Sequence, residues 1–279
     1  MDTHAIEEVE ISLLIEALHQ RHGYDFSQYA PASFKRRVRA LQMHWHLPTI
    51  SQVTERALHD PDALPTIIAR LTVPVSALFR DPDSFDGLHR TVFAYLSSYP
   101  RINIWQAGCA RGEETYSLAI LLSEAGLYDR CRIYATDIST EALAHAREGI
   151  YPARSLPEDS EHYHRAGGQH TLSDYFHARY GHLKFSDALK RNIVFAEHNL
   201  AADGVFCEAQ LVICRNVLIY FQPPLQDRAI GLFRDTLVRG GFLSLGSKEA
   251  LDHSIHRRAF ECIDSRQSLY RLLATQAAA

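Results

Sequence analysis

The chain has 279 residues, 46% hydrophobic and 22% charged, with a formal net charge of −4. That length suggests about two domains of roughly 150 residues each, and the acidic balance argues against a surface that grips nucleic acid or an anionic membrane, since both need a large positive field. Five scattered cysteines, none in C-x-x-C spacing, argue against a disulfide framework or a zinc knuckle and fit reduced thiols in the cytoplasm.

In chain order, the first stretch reads as helical. Val9, Leu13, Leu14, Ala17 and Leu18 form one apolar stripe, and Gly23 ends that helix. A second helix spans Ala32–Trp45, with Phe34, Val38 and Leu41 inward and Lys35, Arg36, Arg37 and Arg39 as one broad positive face; a solvated face is the usual reading of such a run. Thr49 or Ser51 caps a third helix holding Val53, Ala57 and Leu58. Pro61 and Pro65 bracket a turn before a fourth helix carrying Ile67, Ile68 and Leu71.

From about Pro100 short apolar runs alternate with helical segments. Strands are predicted at Arg101–Ala107, Arg132–Thr136, Ile193–Ala196, Leu211–Cys214 and Phe242–Leu245, with Arg239-Gly240-Gly241 turning into the last. Ser139 is placed as an N-cap, and Pro224 opens the helix bearing Leu225, Ala229, Leu232, Phe233, Thr236 and Leu237. Such alternation implies a parallel sheet covered by helices, an α/β class. We expect two domains, residues 1–85 all helical and residues 86–279 α/β. The stretch 151–190, rich in His, Tyr and charge, reads as an insert with short antiparallel strands. No apolar run is long enough to span a bilayer, and the acidic N-terminus has no signal-peptide pattern, so no membrane insertion is expected.

Four segments carry chemistry. Ala107-Gly108-Cys109-Ala110-Arg111-Gly112-Glu113-Glu114 follows a strand, and glycines there let a ligand approach the backbone. Glu113 and Glu114 would repel a pyrophosphate and suit an amino-bearing ligand such as S-adenosylmethionine; alternatively they only favour a helix N-terminus. Asp137, ending the second strand before Ile138, either accepts from ribose hydroxyls or starts a turn. Cys214, Arg215, Asn216 and Tyr220 follow another strand end, where open α/β sheets bind ligands, although a plain loop would look similar. Arg80, at the hinge, either grips a carboxylate or pairs with Asp81 or Asp83. The sixteen His show no convincing ligand spacing, so no metal is expected.

The motifs Phe79-Arg80-Asp81-Pro82, Gly112-Glu113-Glu114 with Tyr116-Ser117-Leu118-Ala119, Ala135-Thr136-Asp137-Ile138-Ser139, Gly149-Ile150-Tyr151-Pro152, Asn199-Leu200 and Cys214-Arg215-Asn216-Val217-Leu218-Ile219-Tyr220-Phe221 resemble the CheR family of chemotaxis protein methyltransferases, from about Ile11 to Leu273. The resemblance implies a Rossmann-like class I methyltransferase domain with an inserted small β-subdomain, preceded by an all-helical receptor-recognition domain. It implies a cytoplasmic enzyme, expected to be monomeric, that moves a methyl group from S-adenosylmethionine to glutamate side chains on the cytoplasmic methylation helices of chemoreceptors. The products would be methyl esters and S-adenosylhomocysteine.

Cofactor contacts would fall on Ser76, Arg80, Glu114, Asp137, Asn199, Leu200, Cys214 and Arg215, with Ala107, Gly108, Glu113, Ile138 and Asn216 beside them. Arg80 and Tyr220 would act nearest the methyl, and Lys35, Arg36, Arg37 and Arg39 would face the receptor. Pro74 stands where the family usually has Asn, and Gly246-Ser247-Lys248-Glu249 stands for Gly-His-Ser-Glu. Pro74 motivates a second expectation, a degenerate relative that binds the cofactor or its demethylated product as a regulatory protein.

Overall fold

The computed structural model describes residues 3–273. Four helices come first: α1 (Thr3–His22), α2 (Pro31–His44), α3 (Ile50–His59) and α4 (Ala63–Leu71). Gly23 ends α1 as expected, with φ +78° and its N–H on His19 O at 2.9 Å. The buried stripe of α1 is Ile11, Leu14 and Leu18, whereas Val9 and Leu13 are exposed. The expected stripe was therefore rotated, because i, i+4 neighbours alone do not say which flank meets the partner helix. Thr49 occupies the N-cap position of α3 without a capping bond. Ser51 instead gives its N–H (3.0 Å) and Oγ (2.6 Å) to Glu10 of α1. Pro65 lies inside the first turn of α4, where its missing N–H costs nothing, rather than in the preceding turn.

A linker leads to α5 (Pro82–Gly87), a π-turn and α6 (Phe93–Leu96), and then to the α/β region. There β1 (Ile102–Ala107), α7 (Glu113–Glu124), β2 (Cys131–Asp137) and α8 (Thr140–Glu148) follow one another. Ser139 caps α8, its Oγ accepting from Ala142 N at 3.2 Å. The insert contains β3 (Ile150–Pro152), α9 (Leu156–Arg165), β4 (Phe176–Arg179), β5 (His182–Phe185) and α10 (Asp187–Lys190). Its three strands form an antiparallel sheet in the order β3-β5-β4. The last part comprises β6 (Ile193–Glu197), β7 (Ala209–Cys214), α11 (Pro223–Thr236), β8 (Leu237–Leu245), β9 (Phe260–Asp264) and β10 (Leu269–Leu272).

The seven-stranded main sheet runs β6-β2-β1-β7-β8-β10-β9. It is parallel as far as β8 and antiparallel at β10 and β9. Arg239-Gly240-Gly241 is not a turn but part of β8, where Gly240 at φ +72° and a register shift against β7 mark a bulge. The closing hairpin β9–β10 was not anticipated. Strand order reverses across β1 and β7, and ligands of open α/β sheets bind outside the carboxyl ends at such a switch point.

Helices cover both faces of the sheet. On one side Phe26, Tyr29 and Phe34 of the helical region share a core with Trp105, Phe221 and Phe233. On the other, Phe79 of the linker packs with Phe85 of α5 and Tyr163 of the insert, their rings 5.9 Å and 5.3 Å from its own. The linker thus packs against the insert and lines the cavity at the strand ends.

Candidate active site

An open cavity lies at that switch point, about 840 Å³ when the solvent space at its mouth is included. Its floor is the ends of four parallel strands. After β1, Gly108 and Cys109 give their N–H groups to Thr136 O at 2.8 and 2.9 Å. Gly108 has φ +74°, and a Cβ there would meet Val217 Cγ2 at 2.4 Å, so only glycine lets the loop after β7 close over this turn. Asp137 at the end of β2 accepts from Ala110 N (2.8 Å) and Ser139 N (2.9 Å). Burial raises its pKa against those bonds.

The loop after β7 is built around Glu249, which the residue patterns did not single out. Its carboxylate accepts from Gly246 N (2.7 Å), Asn216 N (2.9 Å), Val217 N (2.9 Å) and Ile219 N (3.2 Å). Burial raises its pKa, and the four backbone bonds oppose that. The clamp holds Asn216 in a left-handed conformation at φ 58°. Arg215, almost wholly buried, spans three segments. It donates to Glu114 Oε1 (2.6 Å), Asp81 Oδ2 (2.9 Å) and Arg80 O (3.1 Å), with its guanidinium 5.4 Å from the Phe85 ring centre. Phe79 and Asp81, flanking Arg80, are also left-handed, and Phe79 N donates to Ser117 Oγ at 2.8 Å. Backbone held so on both sides aims the Arg80 side chain.

Of the expected residues, Ser76, Arg80, Gly108, Glu114, Asp137, Ile138, Asn199, Leu200, Arg215, Asn216 and Tyr220 line the cavity. Ala107, Glu113 and Cys214 do not. Ala107 and Cys214 are buried within the strand ends, and Glu113 is half-buried, its Oε2 shut off from solvent without a partner among the described residues and its pKa raised by burial. In the helix that follows the glycine turn, the first glutamate turns into the protein and the second faces the cavity. Arg80 has no side-chain partner among the described residues, because Asp81 is taken by Arg215 and Asp83 by Arg165. Pro74 also lines the wall.

The broad positive face of α2 is corrected. Lys35 pairs with Glu7 (2.8 Å) and Glu8 of α1, and Arg39 pairs with Glu7, its Nη2 at 2.7 Å. These bonds hold the Glu7 carboxyl down at about 2, Arg39 contributing most and Lys35 next. Arg37 turns inward, 7% exposed, its guanidinium 5.2 Å from the Tyr220 ring centre, and it lines the cavity. Arg36 remains as the unpaired, solvent-facing cation of the four among the described residues. The helical region also contributes Tyr29, which the residue patterns missed.

A glycine turn after the first strand, an acidic residue ending the second, and a cavity at the switch point define a Rossmann-like methyltransferase that uses S-adenosylmethionine. The donor set fits that cofactor: Asp137 and Asn199 offer acceptors to a nucleoside, and Glu114 offers a carboxylate to an amino group. Comparison with known proteins agrees. The family described as "CheR methyltransferase, SAM binding domain" matches residues 74–269, and "CheR methyltransferase, all-alpha domain" matches residues 10–72. The Cher3 protein of Pseudomonas putida is 47% identical over 95% of this chain and 97% of its own length. A chemotaxis protein methyltransferase of Listeria innocua is 30% identical over 82% of this chain and 85% of its own. Chemotaxis protein methyltransferase 1 of Vibrio cholerae is 31% identical over 65% and 66%. The chain belongs to the CheR methyltransferase family. No helix among the described residues is long and apolar enough to cross a membrane.

Proposed function

We propose that this methyltransferase acts in the cytoplasm on glutamate side chains of chemoreceptor methylation helices, giving methyl esters and S-adenosylhomocysteine. One observation carries the reading: Arg80 lines the same cavity as Tyr220 and lacks an anionic partner among the described residues. Asp81 and Asp83, the acids nearest to it in the chain, are engaged by Arg215 and Arg165. An incoming carboxylate is the ligand such a group lacks.

When bound, S-adenosylmethionine supplies a methyl group on a sulfonium. A glutamate with a pKa near 4.3 is already ionised at neutral pH, so the protein need provide no general base. What remains is alignment. Arg80 orients the carboxylate, and Tyr220 fixes the other side of the reacting centre. Glu114, steadied by Arg215, takes the amino end of the cofactor, while Asp137 takes the ribose and Asn199 the base side.

Transfer of tritiated methyl from S-adenosylmethionine to the host's chemoreceptors tests this. Alkali-labile label on receptor glutamates is expected. Cofactor binding without such label on any receptor would favour the regulatory reading motivated by Pro74.

A further inference from the structure

Tyr29 enters the cavity from the turn between α1 and α2. A single antiparallel bridge pins its backbone to Phe221, next to Tyr220. Its ring is wedged among Phe26 (4.8 Å), Phe221 (5.0 Å) and Phe34 (6.3 Å), and the residue is 8% exposed. These contacts need a ring and make no use of a hydroxyl; phenylalanine would satisfy them equally. Yet the hydroxyl has no hydrogen-bond partner among the described residues, and it is not sealed in the protein interior. Burial holds it protonated far above the neutral range, so it is a permanent donor. Arg37 and Asp137 both act on it electrostatically, in opposite senses. Tyr29 thus lines the same cavity as Arg37 and as Asp137 at the end of β2.

We propose that Tyr29 is a cofactor-binding residue supplied by the helical region, its hydroxyl donating a hydrogen bond to the ribose hydroxyls of the bound S-adenosyl group. The inference rests on the reading of Asp137 as the ribose acceptor. It gives the helical region a second role beside partner recognition, that of completing the cofactor site.

Calorimetric titration of the full chain tests it, using S-adenosylhomocysteine and its 2′,3′-dideoxy analogue. Tyr29→Phe is expected to bind S-adenosylhomocysteine about tenfold more weakly, the scale of one neutral hydrogen bond. The analogue should bind the variant and the parent alike, and the ligand-free melting temperature should not change. Unchanged affinity for S-adenosylhomocysteine, or an equal loss on both ligands, overturns the proposal. Asp137→Asn separates the two readings. If it keeps full affinity, the ribose assignment falls and takes this proposal with it. If it loses affinity while Tyr29→Phe does not, only the Tyr29 proposal falls.

Discussion

Arg215 and Glu114 are joined by a 2.6 Å bond from Nη1 to Oε1, between the loop after β7 and the first turn of α7. The same guanidinium reaches Asp81 in the linker, so one buried cation fastens together the glycine-turn helix, the linker and the loop after β7. That commitment takes Arg215 out of contention for binding an acceptor and leaves Arg80 free. Breaking a buried pair strands the remaining charge. Arg215→Met should therefore lower unfolding stability by about 3 kcal/mol in guanidinium titrations. Stability equal to the parent would show that the clamp contributes nothing.

Arg80→Ala should separate chemistry from folding. Its side chain has no partner to lose among the described residues, so the melting temperature should hold. Receptor methylation should fall on the order of a hundredfold, as when one preorganised electrostatic group is removed from a site. A variant with full activity would refute the role given to Arg80.

Glu249→Ala would leave four backbone N–H groups of the loop without their acceptor. We expect a loss of at least about 2 kcal/mol in stability together with weaker S-adenosylhomocysteine binding, measured by denaturation and calorimetry. Glu249→Gln, which can still accept, should recover part of both. Equal behaviour of the two variants would argue that the carboxylate oxygens do not organise the loop.

Charge reversal on α2 should depend on position. Arg36→Glu is expected to reduce receptor methylation several-fold through a lost partner contact, with cofactor affinity unchanged. A matching fall in cofactor affinity would make Arg36 a structural residue instead.

Acid stability offers a fifth test. Glu7 ordinarily titrates near 4.5 and is held at about 2 in the folded chain. A depressed carboxyl stabilises the fold fully above its unfolded value, and that contribution disappears as pH falls from about 4.5 towards 2. Glu7→Gln should accordingly flatten the decline of the urea midpoint across that window. Parallel declines in variant and parent would rule out a contribution from the Glu7 ion pairs.

Local periodicity and turn chemistry sufficed for much of this molecule. The helices of the first seventy residues, the parallel strands, the Ser139 cap and the stop at Gly23 all follow from short-range patterns, because backbone conformation depends mainly on near neighbours. The glycine turn, Asp137 and the string from Cys214 to Phe221 likewise announced a cofactor fold, since a ligand at strand ends demands those residue types at those places.

Side-chain direction and long-range partners were decided by packing alone. Whether Glu113 or Glu114 faces the cavity depends on how α7 seats against the sheet and the insert. Lys35 and Arg39 have their charge offset, by Glu7 and Glu8 for the first and by Glu7 for the second, because α1 lies alongside α2. Arg37 looks like its three basic neighbours in the sequence, yet it turns inward over Tyr220. Tyr29 and Glu249 belong to the site only because folding brings distant segments within hydrogen-bonding or van der Waals reach, forces too short in range for sequence spacing to report.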